Sequence, residues 1–194
     1  MSVPNDCAIL DLPLKTPRLV LRDLSTDDFE DILFLCTHPE ICRYIRPPMT
    51  RQQVRDHIRD RLRPWFFEET KWYSLAVCLA EDGGIIGELV FRLESRTELR
   101  AEIGYRFRPE AQGKGYGLEA ADALVGLLFG KLRLHKLVAY CAAENRASRR
   151  LLSRLGMRQE GCWRKHSLMH GQWTDLCVYG MLASDRGKAG QKAD

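Results

Sequence analysis

Apolar positions fall into short blocks whose spacing changes from strand-like to helix-like several times along the chain. Arg18 to Leu24 reads as a first strand. Ser25 followed by Asp28 three residues on is a capping-box pattern that opens a helix. Phe29, Ile32, Leu33 and Cys36 then recur at i, i+3, i+4 and i+7 as one apolar stripe. Thr50 with Gln53 repeats the capping pattern ahead of Val54, Ile58 and Leu62, and Pro64 is expected to end or kink that helix. Its other face carries Arg55, Arg59 and Arg63 beside Asp56 and Asp60, a solvated face with internal ion pairs. Trp72 to Ala80 and Ile85 to Leu93 are two strands around the turn Asp82-Gly83-Gly84. Leu99 to Arg108 is a third, with Ile103, Tyr105 and Phe107 on one face and Glu102, Gly104, Arg106 and Arg108 on the other.

After a glycine-rich turn, Leu118 to Gly130 has helical periodicity. Lys136 to Ala143 is nearly all apolar, as a strand buried on both faces would be. Arg146 to Leu155 is a helix stopped by Gly156. Two last strands, about 157–168 and 173–182, join at His170-Gly171. The order (strand, two helices, three strands, helix, strand, helix, two strands) predicts a mixed α/β domain over residues 1–183, not a regular doubly wound sheet. Residues 1–14 are expected to be a loose lead-in, and 184–194 a flexible tail.

The 194 residues suit one domain with a substantial core. No apolar run is long enough to cross a bilayer, and the N-terminus lacks the basic-then-apolar pattern of a signal peptide, so a cytoplasmic protein is expected. The formal charge of +4 is too small to imply nucleic acid. Arginine outnumbers lysine, which leans towards a phosphate-bearing ligand. The seven cysteines include no CxxC pair, and a disulfide framework or zinc site is not expected on that spacing. His166 and His170 lie four apart in a strand, ~13 Å from each other, too far to share a metal.

The stretch that carries chemistry is Gln112-Gly113-Lys114-Gly115-Tyr116-Gly117, set between a strand and a helix. Such a turn aims backbone N–H groups at an anion, and the helix dipole adds to it. A Walker A loop fails because Gly115, not Ser or Thr, follows Lys114. A dinucleotide fingerprint fails on glycine spacing, and Leu137 stands where its acidic residue, ~20 positions on, would be. The pattern (Gln/Arg)-x-x-Gly-x-(Gly/Ala) is met. It follows Glu102-Ile103-Gly104-Tyr105-Arg106-Phe107 and precedes Glu144-Asn145-Arg146-Ala147-Ser148, Gly156-Met157 and a hairpin ending Val178-Tyr179. With Thr16-Pro17-Arg18-Leu19 at the start, the chain from about 14 to 183 resembles the GNAT superfamily of acyl-CoA-dependent N-acyltransferases. Within it, the chain is similar to the RimJ/RimL-type ribosomal-protein N-terminal acetyltransferases.

The resemblance implies a mostly antiparallel mixed sheet of about seven strands with about four helices, in which two strands splay around acetyl-CoA. It implies that Phe107 and Arg108 hold the pantetheine arm by backbone groups, and that Gln112, Gly113, Lys114, Gly115, Tyr116 and Gly117 wrap the pyrophosphate. Lys114 and Arg149 or Arg150 would reach a phosphate, or simply face solvent. Asn145 would meet the pantetheine or cap a helix, and Ser148 would bond the departing thiolate. For the base, Glu102 comes first and Glu88 second; either could instead pair with Arg92 or Arg106. Tyr140 and Tyr179 are proton-donor candidates, with aromatic packing as the alternative. Tyr44, Arg46 and Trp72, with Trp65 and Phe66, are candidates for the acceptor site or for core. Ser167 stands where the RimL-like pattern has a glutamate, which weakens the transfer of ribosomal-protein specificity.

The expected reaction is acetyl transfer from acetyl-CoA to a primary amine, a protein N-terminus or a small molecule, by direct attack without metal. An α-amine near pKa 8 costs only ~1.4 kcal/mol to deprotonate at pH 7, against ~4.6 kcal/mol for a lysine. A non-catalytic CoA-binding regulator and a larger donor such as succinyl-CoA are the alternatives. Homodimers are common in folds of this kind.

Overall fold

A computed structural model describes residues 10–62 and 65–189, with side chains in the last helix described to Arg186. The elements are β1 (Leu14–Lys15), β2 (Leu19–Asp23), α1 (Phe29–Thr37), α2 (Pro39–Cys42) and α3 (Arg51–Arg59). After them come β3 (Trp72–Leu79), β4 (Ile85–Ser95), β5 (Arg100–Phe107), α4 (Tyr116–Lys131) and β6 (Lys136–Ala142). The chain closes with α5 (Arg146–Arg154), β7 (Arg158–Met169), β8 (Gln172–Leu182) and α6 (Ala183–Ala189). One sheet holds all eight strands in the order β1-β2-β3-β4-β5-β6-β8-β7. Every pairing is antiparallel except β5 with β6.

Both capping boxes form. Asp28 Oδ2 accepts from Ser25 N at 2.8 Å, and the same carboxylate takes both terminal nitrogens of Arg22 at 2.8 Å. That buried pair ties the end of β2 to the start of α1, through a single 3-10 turn over Thr26–Asp28. Thr50 and Gln53 cap α3, which ends at Arg59; Arg63 and Pro64 lie outside the described residues. On its polar face Arg59 pairs with Asp56 at 2.8 Å.

Period-two alternation divides the core between the faces of the sheet. Leu75 and Val77 of β3 join Leu89, Ile103 and the α4 side chains Ala121, Leu124, Val125 and Leu128 on one face. Ala76 and Cys78 face the other way, against Ile32, Leu35, Val54 and Ile58 of α1 and α3. Trp65 is 2% exposed and packs on Tyr73 and Phe91, so it is core, while Phe66 is exposed.

Three expectations change. The lead-in is not loose at its end: Leu14 and Lys15 pair with Leu21 and Val20, which gives an eighth strand. The tail continues as α6, where Asp185 accepts from Leu182 N and Arg186 meets Asp122, bonds that spacing alone did not announce. With the four-residue α2, the described residues hold six α-helices where about four were expected. Cys162 and Cys177 sit opposite each other across β7 and β8, joined as a disulfide with Cα atoms 4.0 Å apart. Their pairing depends on cross-strand register, which their separation of fifteen residues does not reveal.

Candidate functional site

The sheet opens where its one parallel pairing stops. Strands β5 and β6 are in register only at Arg100–Lys136, Ala101–Leu137 and Glu102–Val138. Beyond Glu102 the two strands part, and a cleft of about 990 Å³ runs through the gap.

One end of the cleft is the turn into α4. Gly115, with φ +85°, is the residue before the helix, in a conformation that an L side chain rarely adopts, and it offers no side-chain cap. The first N–H groups of α4 are thus left for a ligand or water, at the positive end of a sixteen-residue helix. Gly117 faces α5: a Cβ there would lie 2.8 Å from Leu151 Cδ1, the end of a side chain that would have to turn aside. Arg18 lies across this turn. Its Nη1 donates to the Lys114 carbonyl at 3.0 Å, and its guanidinium sits 4.6 Å from the Tyr116 ring centre. Glu119 holds it in place at 2.7 Å and also accepts from Thr16.

Of the residues assigned to the phosphate and pantetheine end, Phe107, Gln112, Gly113, Gly115, Gly117, Asn145, Ser148 and Arg150 line the cleft. Lys114, Tyr116 and Arg108 do not. Lys114 is exposed. The Arg108 side chain turns to α1, where it pairs with Asp31 at 2.6 Å and stacks over Phe34, and its N–H is taken by the Ile86 carbonyl. Arg149 donates to the Tyr179 hydroxyl at 3.2 Å.

Midway, Asn145 caps α5: its Oδ1 accepts from Ser148 N at 3.1 Å. Ser148 Oγ lies 2.9 Å from the Tyr105 hydroxyl, a pair that alternation along β5 could not reveal, since it gives a face but not where the hydroxyl ends. Burial pushes the Tyr105 phenol up, so it stays protonated across the neutral range. Cys141 lines the same stretch, and burial raises its thiol too.

The far end, under α2 and α3, is lined by Tyr44, Arg46 and Trp72. Both candidate carboxylates lie here, and both are paired. Burial alone would raise the pKa of Glu88, which is fully enclosed. Arg106, with Nε at 2.6 Å, and His57, with Nε2 at 2.8 Å, outweigh it and hold the carboxyl well below the usual range. Burial pulls His57 the other way, towards the neutral ring, against the attraction of Glu88. Glu102 differs. Arg92 Nε and Nη2 both reach Oε2, at 2.7 and 2.6 Å, while Arg92 also stacks on Trp72, and burial raises the Glu102 carboxyl. Oε1 of Glu102 accepts no bond from the described residues. Tyr140 donates to Glu94 at 3.1 Å, and burial pushes its phenol up to about 12. Among the described residues no group of three His, Cys, Asp or Glu side chains is placed to hold a metal. No described helix is long and apolar enough to cross a membrane.

Residues 18–158 match the family model for the acetyltransferase (GNAT) domain. The chain is 27% identical over 173 residues, 89% of its own length and 98% of the other, to an uncharacterised N-acetyltransferase, YnaD, of Bacillus subtilis (strain 168). It is 31% identical over 83 residues, 43% of each chain, to the ribosomal protein uS5-alanine N-acetyltransferase of Escherichia coli (strain K12). Among solved structures, a GNAT-family acetyltransferase from Bacillus anthracis superposes with a TM-score of 0.77 at 27% identity, covering 88% of this chain and 98% of that one.

Proposed function

Since this chain belongs to the GNAT acetyltransferase family, we propose that its cleft brings acetyl-CoA and a primary amine together for direct N-acetyl transfer. The observation that carries the proposal is the end of β5–β6 pairing at Glu102, which opens a cleft between the uncapped start of α4 and a second, acceptor-side chamber. The α4 turn, with Gly113, Gly115 and Gly117, would receive the pyrophosphate of acetyl-CoA, and Arg18 and Arg150 would add positive charge. The thioester would then lie near Ser148 and Tyr105.

In the step itself the amine nitrogen forms a bond to the acetyl carbon as the carbon–sulfur bond breaks. The amine must first be neutral, and Glu102 is the favoured acceptor of its proton, directly or through water. Its free Oε1 and raised pKa suit a base working near neutrality, whereas both oxygens of Glu88 are engaged. The sulfur leaves as a thiolate and takes a hydrogen bond or proton from the Ser148–Tyr105 pair, whose phenol burial keeps protonated. An acyl-enzyme on Cys141 is disfavoured because burial raises that thiol, and the thiolate is the nucleophilic form. The acceptor is an α-amine, of a protein N-terminus or a small molecule, for which the proton costs least.

A thermal melt tests donor binding. Acetyl-CoA at a hundred times its dissociation constant adds ~2.7 kcal/mol, a shift of roughly 5–10 °C for a chain of this size. CoA is expected to match that shift, and NAD or ATP not to. A larger shift with succinyl-CoA than with acetyl-CoA would reassign the donor.

A further inference from the structure

The acceptor chamber contains a cation, Arg61, that forms no ion pair with a described carboxylate, although Glu88 and Asp60 attract it at longer range. Arg61 lies just after α3 and lines the cleft near Arg106 and Glu88. Its Nη1 donates to the His57 carbonyl at 3.0 Å. Its Nε is buried without a hydrogen-bond partner. Among the described residues, the carboxylates of the chamber are committed elsewhere, Glu88 to Arg106 and His57 and Glu102 to Arg92, and none forms an ion pair with Arg61. Burial works against its charge, as do Arg106 and Arg46, and the attraction of Glu88 and Asp60 does not outweigh them. A desolvated guanidinium with an idle donor is costly unless something brings an anion to it. A second arginine, Arg46, lines the same end and is exposed; the carboxylate of Glu40 stands exposed at the mouth. The remaining surface is largely apolar, with Ile41, Trp72, Met169 and Leu176. The β7–β8 tip meets the end of α2 above it, His170 Nε2 being 3.4 Å from the Cys42 carbonyl.

We propose that the acceptor carries its own carboxylate, as an α-amino acid with an apolar side chain does, and that Arg61 pairs with it. Nε is enclosed, so the contact with the ligand falls to the second terminal nitrogen, which the His57 bond leaves unused, and Nε joins it as a fork when the side chain turns toward the cleft. Ile41, Trp72, Met169 and Leu176 receive the side chain, and the amine is left to face the thioester. The inference rests on amine acetylation in this cleft, and the bonds made and broken are those given above.

The test compares L-phenylalanine with phenylalaninamide, at saturating acetyl-CoA, by thiol release from the full chain. The amide keeps shape and amine but loses the anion. Its amine is the less basic and so the easier nucleophile at neutral pH; a preference for the acid must come from binding. The acid is expected to have a kcat/KM roughly 10- to 100-fold above the amide. Arg61→Gln should raise KM for phenylalanine by a similar factor, with a far smaller effect on the amide and on the KM for acetyl-CoA. Arg61→Lys, which keeps charge but loses the fork, should fall between. An unchanged melting shift with acetyl-CoA shows that each variant is folded. Equal rates for acid and amide, or equal losses for both in Arg61→Gln, would overturn the proposal. Should no amine release thiol although acetyl-CoA stabilises the chain, the transferase proposal fails. The anion site is then judged alone: phenylalanine must raise the melting temperature of the CoA-loaded wild type more than phenylalaninamide does, or it fails as well.

Discussion

Glu102 keeps Oε1 free because both Arg92 nitrogens converge on Oε2, and burial raises the pKa of its carboxyl. A base works only when deprotonated, so kcat/KM should fall as pH drops through that raised pKa. Glu102→Gln should lower the rate and leave an acidic limb set only by the amine's own ionisation, moving with the pKa of the acceptor chosen, as a pH–rate profile would register. A limb in the variant that stays fixed when acceptors of different pKa are compared would mean that another group is the base. The Ser148–Tyr105 pair, proposed to meet the leaving thiolate, gives a second test. Ser148→Ala and Tyr105→Phe should each cost about 10- to 100-fold in kcat while leaving the KM for acetyl-CoA nearly unchanged. The double variant should be little worse than either, because the two hydroxyls act as one unit across 2.9 Å. Additive losses would mean that they act separately. Much at this scale could be read from residue types: Asn145, Ser148 and the glycines line the cleft, and both glutamates took the ion pairs weighed for them. Arg61 and Tyr105 could not be read so. Arg61 falls beside Leu62 in the predicted helix, where periodicity says only that it is off the apolar stripe, and Tyr105 shares a face with Ile103 and Phe107 whose partner alternation does not give. Arg108 went the other way, its backbone spent on β4 and its side chain on Asp31.

Elements set one end of the cleft where two helices approach each other. At Gly117 the helices α4 and α5 meet so tightly that Gly117→Ala would put a Cβ 2.8 Å from Leu151 Cδ1. Leu151 Cδ1 is the free end of a half-buried side chain, so a rotamer change relieves most of the overlap and the cost stays at the low end of overpacking, about 1 kcal/mol. The variant should melt only slightly below the wild type and keep its shift with acetyl-CoA; a large loss of either would show that Leu151 cannot give way. Caps and strand periodicity made the principal elements legible, because each is a local property. Three features were not local: the pairing of Leu14–Lys15 with β2, the docking of α6 through Arg186 on Asp122, and the Cys162–Cys177 bridge. Each depends on a partner distant in sequence or on cross-strand register, which no period in the chain encodes.

Across the whole molecule, the His57–Glu88–Arg106 cluster joins α3 to β4 and β5 inside the protein. Glu88→Gln would leave Arg106 charged and uncompensated, at a cost of about 3–5 kcal/mol. The cluster also fixes the sign of acid sensitivity. His57 is held below its unfolded pKa of ~6.5, so the stability of its neutral form is complete above that value and is lost as pH falls beneath it. Glu88, also depressed, adds its loss only below ~4.5. Melting temperature should therefore drop from about pH 6.5 downward, and His57→Gln should flatten the upper part of that slope. A slope unaltered by the substitution would place the acid-sensitive group elsewhere. All of this serves one architecture, a sheet that parts at Glu102 to let a thioester and an amine meet. Thiol release from acetyl-CoA with a panel of amines, with the product identified by mass spectrometry, tests it most directly. Amine-dependent release, with an N-acetylated product and no acetylated cysteine on the path, is the predicted result. Tight acetyl-CoA binding without thiol release from any amine would contradict it, and would make the chain a CoA-binding regulator.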